Sequence, residues 1–350
     1  MTKKRTQEFF RGCLIGGAIG DALGWPVEFL SYNEIIKRFG EGGIKDLVVS
    51  SSGKAEITDD TQMTLFTAEG LLRAQTKSME KGSCHPPTVV YFAYQRWLHT
   101  QGYPKIKELD WIYDGWLVGV KELHARRAPG STCIDALLSQ QQGTINNSIN
   151  SSKGCGGVMR SAPVGLFCPI ESVFDWAAEI AALTHGHPSG YLSAGALAYI
   201  VASIISGEDI NTAVHHTLMV LSEYENHEEC THLLQQALDL SNRRIPDVDA
   251  ITQLGQGWVG EEALAISIYC ALKYQDDFRK AVIAAANHNG DSDSTASITG
   301  NILGAYLGLS YIPSDWLEKV ELKEVLIQVA DDLLIGYQGN QEWRERYPGN

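Results

Sequence analysis

The sequence predicts an all-α protein folded as one domain. Apolar residues recur at helical spacing along most of the chain, strand-like alternation is scarce, and β-branched runs are short. No internal repeat of fixed period and no linker-like stretch divides the chain, so residues 1–350 read as a single unit, large enough to bury a substantial core.

Residues 7–23 read as a helix striped by Gly12, Gly16, Gly20 and Gly24, with Gly17 beside them. Each interior glycine costs about 1 kcal/mol relative to alanine. A face of hydrogens therefore needs a reason, and close approach of another helix backbone supplies one. The segment Trp25-Pro26-Val27-Glu28-Phe29-Leu30 reads as a short extended link, with Pro26 helping to end the helix. Glu28 within it is either a surface carboxylate or one set at a pocket edge. Thr58-Asp59-Asp60 has the form of a helix start, with Thr58 as N-cap and two carboxylates where the helix dipole favours negative charge. A cap alone and a set of hard oxygen ligands both fit these residues.

Residues 87–99 and 111–125 are aromatic-rich, helical in period and core-like, and Pro129-Gly130-Ser131-Thr132 starts a further helix capped by Ser131 or Thr132. The polar run 139–152 is the most loop-like part of the chain, and loops of this length in compact domains are usually functional or mobile. It leads into Lys153-Gly154-Cys155-Gly156-Gly157, which suits either an anion-wrapping backbone or a flexible turn. Helices follow at 172–183, 189–206, 211–221 and 227–241. His185 and His187 stand two apart between the first two, without a third nitrogen or sulfur ligand at helix-face spacing, so a hydrogen-bonding loop histidine is the better reading than zinc. Gly255-Gln256-Gly257-Trp258-Val259-Gly260 spells GxGxxG, but no strand precedes it and a bulky tryptophan sits inside, so it reads as a turn before a helix. Helices at 261–272 and 276–286 precede a second glycine stripe, Gly300, Gly304 and Gly308, in 294–309. A helix around 324–337 and a polar tail close the chain.

Composition narrows the function. A net charge of −14 makes a nucleic-acid backbone a poor partner. Seven scattered cysteines without a CxxC pair indicate reduced thiols rather than a disulfide framework or a zinc knuckle. No uninterrupted apolar run reaches bilayer length, so no membrane partner is expected. The basic start Met1-Thr2-Lys3-Lys4-Arg5 precedes an apolar stretch, yet Gly12, Gly16, Gly20 and Asp21 interrupt it and no cleavage site is evident. It reads as a mature cytoplasmic N-terminus. The oligomeric state stays open.

Asp291, Asp293 and Ser294 open the second striped helix as Thr58, Asp59 and Asp60 open the earlier one. If the two helix starts meet, four carboxylates converge, which is untenable without cations. Oxygen-only ligands suit Mg²⁺, Mn²⁺ or Ca²⁺ rather than zinc, and a pair of such ions can activate water and hold an oxygen-rich substrate. The expectation is narrow: the two clusters must face one another.

The segments GCLIGGAIGDALGWPVEF (12–29), ITDDTQM (57–63), SKGCGGVMRSAPVGL (152–166), THGHP (184–188), WVGEEALA (258–265) and NGDSDSTASITGNILGAYLG (289–308) together resemble the ADP-ribosylglycohydrolases, including the dinitrogenase reductase-activating glycohydrolases. They span nearly the whole chain in family order. The resemblance implies a single-domain orthogonal helical bundle with two Mg²⁺, or Mn²⁺, that hydrolyses the bond between ADP-ribose and an acceptor, with ADP-ribosylated protein as substrate and ADP-ribose as product. Thr58, Asp59, Asp60, Asp291, Asp293 and Ser294 then match the metal ligands, Ser294 standing where threonine is commoner. Glu28 matches a mobile glutamate near the scissile bond, and Asp60 or Glu28 handles the proton. Ser152, Gly154, Cys155 and Gly156 match the loop that cradles the diphosphate, Cys155 replacing an asparagine of some members. His185 matches the histidine beside the adenosine and phosphate portion. Arginine is the leading acceptor; serine-linked, nucleic-acid-linked and free ADP-ribose derivatives are the alternative substrates, and a non-catalytic binding or immunity role is the alternative class.

Overall fold

A computed structural model describes residues 3–349. Met1, Thr2 and Asn350, and with them the start of the expected N-terminal reading and both ends of the span 1–350, lie outside the described residues. Helices dominate, and the only β pairing among the described residues is two isolated bridges, Ala55 with Val320 and Gly154 with Val259.

In chain order the first helices are α1 (Gln7–Gly24), α2 (Tyr32–Phe39), α3 (Asp59–Lys81), α4 (Pro86–Thr100), α5 (Ser131–Leu138) and α6 (Ala162–Phe167). The middle of the chain forms α7 (Val173–Ala182), α8 (Pro188–Ser206), α9 (Ile210–Leu221), α10 (Glu228–Ser241), α11 (Asp247–Leu254) and α12 (Gly260–Lys273). The last are α13 (Phe278–Ala286), α14 (Ser292–Leu307), α15 (Ser314–Lys319), α16 (Lys323–Ile335) and α17 (Gln341–Arg346).

The two glycine stripes meet. A Cβ on Gly12, Gly16, Gly20 or Gly24 of α1 would run into the backbone of Gly304, Gly300, Ala296 or Ser292 of α14, and Gly300 and Gly304 face Gly16 and Gly12 in return. The order of these pairs makes the helices antiparallel. Side chains are thus absent along the seam because two backbones occupy the space. Asn301 fits over Gly17 and its Nδ2 donates to the Cys13 carbonyl at 2.8 Å, a side-chain bond across the seam. The consequence for function is positional: the C-terminal end of α1, with Glu28 just beyond it, lies beside the N-terminus of α14.

α8 meets the length and composition of a membrane-crossing helix, contrary to the expectation that no segment would, with mean hydropathy 1.4 over its best window. That window is 83% buried within the protein, as befits a central core helix.

Other expectations are corrected. The segment after α1 is not extended: Trp25–Val27 continues as a 3-10 turn, because Pro26 sits at a first-turn position where its missing N–H costs nothing. Residues 111–125 do not form a helix but parts of three 3-10 turns, Lys107–Ile112, Leu117–Gly119 and Lys121–His124. Gly115, at φ +96°, interrupts any longer helix, and Trp111 is exposed rather than core. α5 has Gly130 at its N-cap, and neither Ser131 nor Thr132 caps it. The polar tail contains α17, held by the buried Trp343, whose indole N–H donates to Thr76 Oγ1 at 2.8 Å. The short helices α2, α6 and α11 carry too few periods to be read from spacing.

Candidate active site

Three helix ends build the site. At the start of α3, Thr58 is the N-cap and its hydroxyl accepts from the Asp60 N–H at 3.3 Å. The same hydroxyl donates to Asp293 Oδ2 at 3.3 Å, a direct bond between the two acidic clusters. At the start of α14, Asp291 is the N-cap and accepts from the Ser294 N–H at 3.3 Å. Beyond the end of α1, Glu28 brings a carboxylate oxygen that lies, with one each from Asp291 and Asp293, in a group all within 4.8 Å of one another. The two clusters therefore face one another, with Glu28 as a third contributor.

A cavity of about 450 Å³ opens over them, with Glu28, Asp59, Asp60, Asp291, Asp293 and Ser294 in its wall. Gly154, Cys155, Gly156 and His185 form another part of the wall, while Phe29 and Trp258 stack at 5.9 Å between ring centroids and are both exposed. Two expected site residues stand outside the cavity lining. Thr58 is fully buried behind the acids. Ser152 turns its hydroxyl to Thr132 Oγ1 at 3.1 Å and accepts from the Gly154 N–H at 3.3 Å, so it shapes the loop rather than facing the cavity.

The electrostatics follow from this burial. Asp60 and Asp293 are held far above the usual carboxylate range, by desolvation first and by neighbouring carboxylates second. Burial, then Asp291, Asp59 and Asp21, pushes Glu28 up to about 9. Asp59 is raised to about 8 by burial, against the Gly130 N–H that donates to it at 3.2 Å. Asp291 is raised as well, again by burial. No lysine or arginine is among the described residues lining the cavity, and His185 is neutral there because burial and Arg160 lower it to about 3. Glu28 Oε2 and Asp60 Oδ2 are buried without a hydrogen-bond partner among the described residues. A donor set of converging carboxylates with orphaned oxygens fits hard divalent cations, which supply the missing positive charge.

The glycine loop is pinned from behind. The Cys155 N–H donates to the Trp258 carbonyl at 3.1 Å and the Gly260 N–H to the Lys153 carbonyl at 2.8 Å, while Lys153 Nζ pairs with Glu261 at 2.6 Å and Glu229 at 2.9 Å. Two of the loop's donors, on Gly154 and Cys155, are thus already engaged within the protein, so the loop wraps an anion less completely than its glycines suggest. Gly156 is needed for space: a Cβ there would lie 2.9 Å from the His185 ring and 3.0 Å from Cys133 Sγ. His185 bonds through Nδ1 to Thr184 Oγ1 at 2.8 Å, and Arg160 donates to that hydroxyl at 2.6 Å, so the ring is fixed against the loop.

Sequence reasoning missed the supports. Asp21, fully buried in α1, accepts from the Thr58 N–H at 3.0 Å and the Thr61 N–H at 3.1 Å, and so ties the start of α3 to the glycine-striped helix. Its signal was a lone acid inside an apolar glycine stripe. Arg127 donates to the Ile57 carbonyl at 2.8 Å and pairs with Glu321 at 2.6 Å, and the Ile57 N–H donates to Glu321 at 3.2 Å. Both sides of the residue preceding Thr58 are thereby held, and no local pattern marks this clamp.

The family model described as ADP-ribosylglycohydrolase matches residues 2–343. An uncharacterized protein of Archaeoglobus fulgidus is 30% identical, over 93% of this chain and 96% of its own. The ADP-ribosylarginine hydrolase Tri1 of Serratia proteamaculans is 25% identical, over 92% of this chain and 78% of its own. A solved ADP-ribosylglycohydrolase-related protein complex shares the fold, with TM-score 0.64 and 22% identity over 95% of this chain and 98% of that one.

Proposed function

The chain belongs to the ADP-ribosylglycohydrolase family, and on that premise we propose that it removes ADP-ribose from modified protein by cleaving the N-glycosidic bond to arginine. The observation that carries the reading is the convergence of Glu28, Asp291 and Asp293 with Asp59 and Asp60 on one cavity, two of their oxygens having no partner among the described residues. Arginine as acceptor is supported by the activity named for the Serratia relative and by an acidic cavity without lysine or arginine among its described lining residues, which suits an incoming guanidinium.

Thr58, Asp59, Asp60, Asp291, Asp293 and Ser294 would hold two divalent cations, Mg²⁺ or Mn²⁺. Bound there, the cations supply positive charge for vicinal ribose hydroxyls and the attacking water. The protein's own groups do the rest. The Gly154–Gly156 turn and His185 bind the diphosphate side. The acids near the ribose stabilise the oxocarbenium-like state at the anomeric carbon. As the bond to nitrogen breaks and that to water oxygen forms, one carboxylate takes the proton of water and another returns one to the departing guanidine. Glu28 and Asp60 are assigned to those transfers. Seven unpaired thiols support a reducing, cytoplasmic setting.

The test offers the purified protein arginine-, serine- and nucleotide-linked ADP-ribose, in Mg²⁺ and in EDTA. Release from the arginine linkage, lost in EDTA, is expected. Asp60→Ala and Asp293→Ala should each lower the rate by about 10² or more. Activity close to wild type in saturating Mg²⁺ would sink the assignment, and no release from any substrate would move the protein to the non-catalytic class.

A further inference from the structure

One buried charge serves neither the acidic cluster nor an ion pair. Arg160 is fully buried, and its partners among the described residues are all neutral. The guanidinium lies over the Tyr94 ring at 4.2 Å from the centroid and donates to Met63 Sδ and Cys133 Sγ at 3.4 Å each, while its Nε has no partner among the described residues. Its one strong bond goes to Thr184 Oγ1 at 2.6 Å. That oxygen stands 2.8 Å from His185 Nδ1.

A hydroxyl has one proton to give. Here the takers are Nδ1 at 2.8 Å, the Ala181 carbonyl at 3.4 Å and the Cys133 sulfur, a weak acceptor. The carbonyl is beyond the range of a good O–H···O bond. An arginine held on the same oxygen makes its O–H a better donor and a poorer acceptor. The hydroxyl proton therefore goes to Nδ1, and the single proton of the neutral ring sits on Nε2. Nε2 faces the glycine turn: a Cβ on Gly154 or Gly156 would stand 3.4 or 3.1 Å from it. We propose that Arg160, through Thr184, fixes His185 as the Nε2–H tautomer and turns that N–H toward the diphosphate of the substrate. Arg160 and Thr184 are positioning residues, since neither lines the cavity. The donor it creates makes up for the Gly154 and Cys155 N–H groups, which are engaged within the protein. It also accounts for a buried cation without an acid: a carboxylate beside Arg160 would cancel the charge that polarises the hydroxyl and imidazole toward an anion. The inference rests on the reading that this cavity takes a diphosphate ligand.

The experiment reads the ring nitrogens of isotope-labelled histidine by long-range NMR correlation. The His185 signals are those lost in His185→Gln or, should that variant unfold, those that move in Thr184→Ser. Wild-type protein should show Nε2 protonated and Nδ1 as acceptor; the reverse pattern overturns the proposal. Thr184→Val and Arg160→Met should draw the two signals together as the tautomers mix, and Arg160→Met leaves no orphaned acid behind. Each should raise the Kd for ADP-ribose and the KM for ADP-ribosylarginine about tenfold, with kcat changed by about twofold at most. Thr184→Ser should restore both constants. Melting curves establish that the variants fold, and should Thr184→Val and Arg160→Met both unfold, the wild-type pattern decides. Signals unchanged in both folded variants, or a Thr184→Ser protein that behaves as Thr184→Val does, also overturns the proposal. Wild-type protein that carries the Nε2–H pattern yet binds no ADP-ribose would instead overturn the functional reading, leaving the tautomer assignment in place.

Discussion

Helix α3 carries buried acid in two places and treats it in opposite ways. Roughly three turns from its start, Glu69 is fully buried and met by Arg96 at 2.9 Å and Arg73 at 3.7 Å, with Arg73 held in turn by Asp114 at 2.6 Å. At the start of the same helix, Asp59 and Asp60 are as deeply buried but meet other carboxylates. The protein is able to place arginines against buried acid and does so where the charge serves structure. At the cavity it withholds them, so that the charge is balanced by protons or by cations from outside. The difference separates a structural ion network from a site: the first is balanced in charge by the protein's own arginines, the second is not.

The comparison is broken most sharply by removing a partner at Glu69. Arg96→Met leaves that carboxylate buried with a weaker partner, and should lower stability by about 3–5 kcal/mol, measured by urea unfolding and indifferent to Mg²⁺. Next comes the seam that carries the second acidic cluster into place. Gly16→Ala drives a methyl into the Gly300 carbonyl and should cost about 1–3 kcal/mol, while also weakening Mg²⁺ binding in calorimetry because α14 must shift. If stability falls and Mg²⁺ affinity does not, the seam is structural only. Third, Asp293→Asn removes one of the converging charges. It should raise the stability of metal-free protein by about 1–2 kcal/mol and abolish the rise in melting temperature on adding Mg²⁺. A destabilised variant would mean that the acids are not in conflict.

The smallest effect is a slope. Glu28, Asp59 and Asp21 are raised to about 9, 8 and 6, burial being the first cause in each, from ordinary values of 4.5, 3.8 and 3.8. Between about pH 4 and pH 9 the folded, metal-free protein therefore binds more protons than the unfolded chain, and its stability falls as pH rises through that window. Saturating Mg²⁺ should flatten the slope. Melting temperatures that are level across the window without metal would contradict the unpaired state of these acids.

Much of this was legible beforehand because it is local. The stripes at Gly12, Gly16 and Gly20 and at Gly300 and Gly304 announced a backbone contact, and Thr58-Asp59-Asp60 and Asp291 to Ser294 announced two acidic helix starts. What failed was reading aromatic spacing as a helix at 111–125, where Gly115 and short 3-10 turns prevail, and reading the end of the chain as a tail although Trp343 anchors it. The supports Asp21, Arg127 and Glu321 escaped because side-chain bonds that join segments far apart in the chain leave no periodic mark.

The sequence by itself determined the all-α class, the two glycine stripes and the two acidic turns, since spacing, glycine and capping act over a few residues, while the meeting of the stripes was decided by the fold. Only the tertiary structure decided that the turns face one another, that Glu28 completes them, that Ser152 looks away and that Cys155 looks in. The physical reason is that charge conflict, desolvation and orphaned oxygens exist only once distant segments share a volume, and at this cavity that sharing is set by two backbones meeting across glycine.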